Sequence, residues 1–190
     1  MSKTQDFEQQ DKEYIANTYG RFNVCFEKGK GSLLWDVEGK EYIDLGSGIG
    51  VTAFGVDDDE WSKAVIAQTH ALNHISNLYY SVPQIKLAEL LCKRTGMKKV
   101  FFCNSGAESN ECAIKAARKY SHDKYGDGRN VIVTLVNSFH GRTVTTLSAT
   151  GQDVFHQHFF PFTEGFVHTP ANDIDAALKV LANPAVCAIM

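Results

Sequence analysis

The sequence predicts an α/β fold: a mostly parallel sheet with helices on both faces, preceded by an N-terminal β-hairpin segment. Three observations predict it. Apolar runs of strand length alternate with helical patterns from residue 61 onward. Val100–Cys103, Asn130–Val136 and Ala185–Met190 are nearly unbroken apolar runs, as expected of parallel strands buried on both faces. Near the N-terminus, Leu33-Leu-Trp35 and Lys40-Glu-Tyr-Ile43 flank Asp36-Val-Glu-Gly39. That is the pattern of a hairpin whose turn uses a glycine at positive φ.

Taken in order, residues 1–18 are polar and read as a short helix or a loose arm, and Tyr19–Val24 as an aromatic-rich connector. Asp44-Leu-Gly-Ser-Gly-Ile-Gly50 offers two meanings. It has the glycine spacing of a methyltransferase motif for S-adenosylmethionine and of half a dinucleotide fingerprint. Both need a parallel strand before and a helix directly after. Here a hairpin arm precedes and a loop-like stretch follows, so a glycine-rich turn that lets backbone pass close by is expected instead. Asp57-Asp-Asp-Glu60 reads as a solvated, acid-rich start to a helix over Trp61–Thr69. Leu72–Tyr80 is a polar and aromatic loop. Pro83–Arg94 is an amphipathic helix that ends at Thr95-Gly96.

Lys99–Lys119 is the most informative stretch. The Val100–Cys103 strand runs into Ser105, with Glu108 three residues on, which is the spacing of a capping box. With Ser105 as N-cap, Gly106 and Ala107 open the helix, and their amide groups lack intrahelical partners. A small, open first turn after a strand suits an anion, most often phosphate. A well-capped strand–helix unit with no ligand fits the spacing equally well. The helix is expected to pack through Ala113, Ile114, Ala116, Ala117 and Tyr120, with Lys115, Arg118 and Lys119 toward its C-terminal part.

Beyond the loop Tyr125–Gly128, the Asn130–Val136 strand ends in Asn137-Ser-Phe-His-Gly-Arg-Thr143. Open α/β sheets bind ligands at such strand ends. Phe139 is placed either to stack on a planar ring or to pack in the core. Arg142 is placed either to hold a carboxylate with both arms of its fork or to make a solvated ion pair. His156 and His158 alternate without a third ligand nearby, so loop or surface roles are expected and no metal site. Phe155–Phe166 reads as a loop and Asp173–Leu181 as a helix.

The chain has 190 residues, a net charge of −3 and 44% hydrophobic residues, which suits one globular domain with or without a small appendage. It is not basic enough for nucleic acid. Its apolar runs are too short for a transmembrane helix, and Met1–Asp11 lacks the apolar region of a secretory signal. The five cysteines (25, 92, 103, 112 and 187) form no C-x-x-C pattern. Free thiols in a reducing cytosol are therefore expected, with neither disulfides nor zinc.

Phe101-Phe-Cys-Asn-Ser-Gly-Ala-Glu108 together with Ser138-Phe-His-Gly-Arg-Thr143 resembles the class III aminotransferases, pyridoxal-phosphate enzymes of fold type I. Gly31–Asp44, Leu147-Ser-Ala-Thr-Gly151 and Phe160-Pro-Phe-Thr-Glu-Gly165 resemble the same family at similar spacing. The resemblance runs from about Asn17 to Met190. It implies that residues 1–60 form an N-terminal segment with the hairpin, part of a small domain. Residues 61–190 would be the first part of the pyridoxal-phosphate-binding large domain. By resemblance, Gly106 and Ala107 at the Ser105 cap bind the cofactor phosphate, Phe139 stacks on the pyridine ring, Arg142 binds a substrate carboxylate, and Tyr19 faces the substrate. The implied reaction passes an amino group through the cofactor to a 2-oxo acid, usually 2-oxoglutarate, in a homodimer.

Two departures stand out. Many relatives have a His-x-His-Pro type segment where this chain has Gly55-Val-Asp-Asp-Asp-Glu-Trp61. Family chains are also about twice as long, and none of the fourteen lysines here sits in the context of the family's Schiff-base lysine. No catalytic residue is therefore expected within this chain, which reads as an N-terminal fragment, inactive and poorly stable alone. A methyltransferase and a non-catalytic remnant are the other readings.

Overall fold

The computed structural model describes residues 2–190, which divide into two compact units, one up to Ser81 and the other from Val82 to Met190.

In the first unit the polar N-terminus is a helix, α1 (Lys3–Tyr14). Ser2 and Gln5 close a capping box at its start. Thr4 fastens it by donating its amide and hydroxyl to the Glu38 carboxylate at 2.9 and 2.7 Å. The hairpin forms as expected from β2 (Leu33–Asp36) and β3 (Glu41–Ile43), with Leu33 opposite Ile43 and Trp35 opposite Glu41. Its turn is organised by Asp36, whose carboxylate accepts from the Glu38 and Lys40 amides and the Tyr42 hydroxyl. Gly39 sits at φ 86°. A further antiparallel strand, β1 (Phe26–Lys30), extends the sheet to β1-β2-β3. Its sequence, Phe-Glu-Lys-Gly-Lys, hides the strand because charged residues suit an exposed edge and break the apolar alternation.

The glycine-rich stretch forms a one-turn helix, α2 (Ser47–Gly50), left-handed at Gly48 and Ile49. It follows an antiparallel arm and so fits neither cofactor motif. Its glycines provide positive φ at Gly48 and Gly50. The close backbone approach expected there occurs instead at Gly55, where a Cβ would lie 2.8 Å from the Gly31 Cα. α3 (Asp59–Leu72) starts at the Asp58 cap, as its acids suggest. Asp57 and Asp59 are not merely solvated, since both pair with Lys30, at 3.1 and 2.7 Å.

The second unit opens with α4 (Val82–Thr95) and the long α5 (Gly106–Tyr125). Then come β4 (Val131–Leu135), the short α6 (Val144–Ala149), a single 3-10 turn at Asp153–Phe155, β5 (Phe166–Thr169), α7 (Ile174–Leu181) and β6 (Val186–Ile189). The sheet is parallel, in the order β5-β4-β6, with Val133 opposite both Val167 and Ile189. Ile132 at its centre packs with Ile114 of α5 and Ala149 of α6. Arg118 ties α5 to the sheet. It donates to the carbonyls of Asn130 (3.1 Å) and Glu164 (2.9 Å), and its guanidinium lies over the Phe166 ring.

Several expectations need correction. Val100–Cys103 is not a strand: it pairs with none of the three strands of this sheet, and Phe101 and Cys103 are exposed. A strand exists only where a neighbour takes its amide and carbonyl groups. The inward face of α5 is Ala107, Asn110, Ile114, Ala117, Arg118 and Ser121, while Ala113, Ala116 and Tyr120 are exposed. Arg118 thus faces the sheet, and the helix extends far enough that His122 and Lys124 occupy its last turn. The expected 155–166 loop leads into β5, whose four residues are too few to show a period.

Candidate active site

The site is built on the head of α5. Ser105 is extended at φ −153° and accepts the Glu108 amide at its hydroxyl oxygen, 3.2 Å away. Glu108 reaches back to the Asn104 amide at 2.6 Å, one residue before the cap, and not to the Ser105 amide of a standard box. Gly106 and Ala107 begin the helix, where their amides have no intrahelical acceptor. A Cβ built on Gly106 would meet nothing within 4 Å. The first turn of a 20-residue helix therefore presents open donors and a positive dipole end to any anion that arrives.

The second component is the loop between β4 and α6, which begins with Asn137 at φ 64°. Phe139 is not a core residue. It is 55% exposed and touches Phe155 at a tilted angle, with ring centroids 6.0 Å apart. Arg142 is exposed on the same loop. Gly141, at φ 126°, is buried against Ala107. Thr143 caps α6 and also donates its hydroxyl to the Glu111 carboxylate of α5 at 2.5 Å. Asn110 of α5 donates its side-chain amide to the His140 carbonyl at 2.7 Å. The loop carrying Phe139 and Arg142 is thereby fastened to the first two turns of α5. Ser105, Gly106, Ala107, Phe139 and Arg142 all belong to this arrangement. Tyr19 lies in the first unit, on the wall of a groove of about 600 Å³ beside α1.

Sequence reasoning missed Asn110, Glu111 and His140. The Nε2 atom of His140 is buried with no hydrogen-bond partner among the described residues, and burial pushes its pKa down, so the ring is neutral near pH 7. Its neighbour Phe139 is legible in the sequence as an aromatic residue in the loop at a strand's C-terminal end. A partly buried histidine has no sequence signature. His156 is drawn inward as well, with Nε2 donating to the Leu147 carbonyl at 2.9 Å and the ring 5.9 Å from that of His168. Among the described residues no group of three or more His, Cys, Asp or Glu is placed to hold a metal ion. No helix among them is long and apolar enough to cross a membrane.

Residues 14–189 match the family Aminotransferase class-III. The chain belongs to the class III aminotransferases. Relatives in this family include the acetylornithine aminotransferase of Haemophilus ducreyi, 56% identical over 182 residues, which are 96% of this chain and 46% of that protein. That of Wolinella succinogenes is 48% identical over 95% of this chain and 46% of that protein. The ornithine aminotransferase structure from Toxoplasma gondii superimposes with a TM-score of 0.92 at 27% identity, covering 100% of this chain and 45% of that one. The class III chain thus has the fold of the type I aminotransferases and spans about half the length of the curated relatives it matches.

Proposed function

We propose that this chain supplies the cofactor-holding part of an acetylornithine aminotransferase, which transfers the amino group of N-acetylornithine to 2-oxoglutarate. The observation that carries the proposal is the open head of α5 at Gly106 and Ala107, fastened to the loop bearing Phe139 and Arg142. Identities of 44–56% to acetylornithine aminotransferases support the substrate. The reaction belongs to arginine biosynthesis, in the cytoplasm, in a homodimer of full-length chains.

The residues fit pyridoxal phosphate. Two open amides at a helix head suit its phosphate, and the Gly106 side leaves room for an approaching group. When bound, the cofactor would supply an electron sink for the electron pair left as the amino-bearing carbon of the substrate loses its proton. Gly106 and Ala107 donate their amides to the phosphate. Ser105 has its oxygen engaged by Glu108, so its hydroxyl proton remains to be donated to the same anion. Phe139, exposed on the adjoining loop, would stack on the pyridine ring. Arg142 would hold a substrate carboxylate through its guanidinium fork, and Tyr19, in the first unit, is proposed as a substrate-binding residue on the family resemblance alone. These groups bind and orient. None of them moves the proton, which in this family is work for a lysine in a context that these residues lack.

The T. gondii resemblance favours a second reading within the same chemistry, an ω-aminotransferase acting on ornithine. Succinylornithine and 4-aminobutyrate are the remaining candidates. Assay of the full-length protein with 2-oxoglutarate against N-acetylornithine, ornithine, succinylornithine and 4-aminobutyrate separates them. The proposal expects the highest kcat/KM with N-acetylornithine. A higher value with any other donor replaces the substrate assignment.

A further inference from the structure

We infer that Asn110 is a positioning residue, which sets the Phe139 ring and the Arg142 fork relative to the phosphate-binding amides of α5. The inference rests on the cofactor reading above.

The phosphate cradle and the Phe139 loop are more than thirty residues apart in sequence, yet one flat cofactor must touch both. Something has to fix their spacing. The backbone of His140, directly after Phe139, is held from two sides. Its amide donates to the Thr150 hydroxyl oxygen at 3.0 Å, and its carbonyl accepts from the Asn110 side chain at 2.7 Å. These two bonds fix consecutive peptide planes, and therefore the backbone angles of His140. They leave Phe139 on one side and Gly141-Arg142 on the other with a defined direction. Asn110 is part-buried and one turn into α5, on the helix face that carries Ala107. A shift of α5 is thereby passed to the loop. Gly141 allows the approach because its missing side chain would collide with Ala107. The Thr143–Glu111 contact anchors the far end of the loop, beyond Arg142. Asn110 is the direct polar link between α5 and the backbone beside the stacking ring. Asparagine suits the task because its amide donates without charge, whereas an aspartate there would oppose two oxygens.

The test uses the full-length protein with Asn110→Ala and the equal-sized Asn110→Asp. Three readouts are taken: affinity for pyridoxal phosphate, the visible circular dichroism of bound cofactor per occupied site, and KM for the carboxylate substrate. We expect roughly tenfold weaker cofactor binding, the effect of one lost net hydrogen bond. The dichroism per occupied site changes, because the ring tilts, and KM rises even at saturating cofactor. A merely structural role would lower the melting temperature and leave dichroism and KM at the wild-type values, which would overturn the inference. If Asn110→Ala does not fold, Asn110→Asp decides by the same readouts. A wild-type protein that shows no cofactor signal removes the cofactor reading and this inference together. A wild-type signal with unchanged variants removes the inference alone.

Discussion

Gly141 lies so close to Ala107 that a Cβ on it would come within 2.8 Å of the Ala107 methyl group. The same Cβ would lie 2.7 Å from the Thr146 hydroxyl oxygen, and the residue's φ of 126° is open in practice to glycine only. Gly141→Ala is expected to destabilise the protein by about 1–3 kcal/mol, the usual cost of forcing a side chain into such a conformation. It should weaken pyridoxal phosphate binding as well, because the loop must move off α5. Urea unfolding of the full-length variant measures the first effect. Wild-type stability would mean that the loop is not pressed on the helix.

Gly106 gives the opposite forecast. It is helical, and an added methyl meets nothing within 4 Å. Gly106→Ala should therefore leave stability within about 0.5 kcal/mol of wild type, or raise it slightly through helix propensity. The methyl group nevertheless stands beside the amide that is to hold the phosphate. Equilibrium dialysis should show weaker pyridoxal phosphate binding by a protein that melts normally. Unchanged affinity would count against Gly106 as part of the cradle.

Acid should loosen the second unit. Thr134 donates its hydroxyl to the Ala149 carbonyl, so the His168 Nδ1 atom, 2.7 Å from the same oxygen, must be the donor in that contact. Burial, and then the neighbouring His156, push the His168 pKa below its ordinary value. Burial does the same at His140. The unfolded chain therefore binds more protons than the folded one at mildly acidic pH. The stability that these neutral rings contribute is complete above the unfolded pKa of about 6.5, and is lost as pH falls below it through the folded values. Melting temperature measured between pH 8 and pH 5 should drop below pH 6.5, and His168→Gln should flatten part of that drop. A flat profile in the wild type would contradict the assignment of these partly buried rings as neutral.

The isolated 190-residue chain should be sticky. Neither α3 nor α4 buries any residue, although Ile85, Leu87 and Leu90 line α4. Phe22 and Ile49 are 94% and 99% exposed. Apolar surface on this scale seeks a partner. Size-exclusion chromatography is expected to show aggregates that bind a hydrophobic dye. A monomer with a sharp cooperative melt would overturn the expectation.

What the sequence revealed, and what it hid, follows from how local each signal is. The Ser105 cap, the Asp36–Gly39 turn and the Asp58 helix start are written in three or four adjacent residues, and all three form. β4 is legible because five apolar and β-branched residues stand together. Val100–Cys103 has the same look and fails, because a strand also needs a neighbour to pair with. β1 is obscured by its edge charges, and α6 and β5 by their shortness. The site divides in the same way. Ser105, Gly106, Phe139 and Arg142 occupy motifs, whereas Asn110 and Glu111 matter only through the fold that brings the loop onto α5.

The most direct measurement is a cofactor titration of the full-length protein with pyridoxal phosphate, followed by visible absorbance, beside Phe139→Ala and Arg142→Ala. The account predicts a saturable band in the wild type. Phe139→Ala should weaken the binding of the cofactor itself. Arg142→Ala should bind it normally and raise KM for the carboxylate substrate. A folded wild-type protein that develops no band would contradict the central claim.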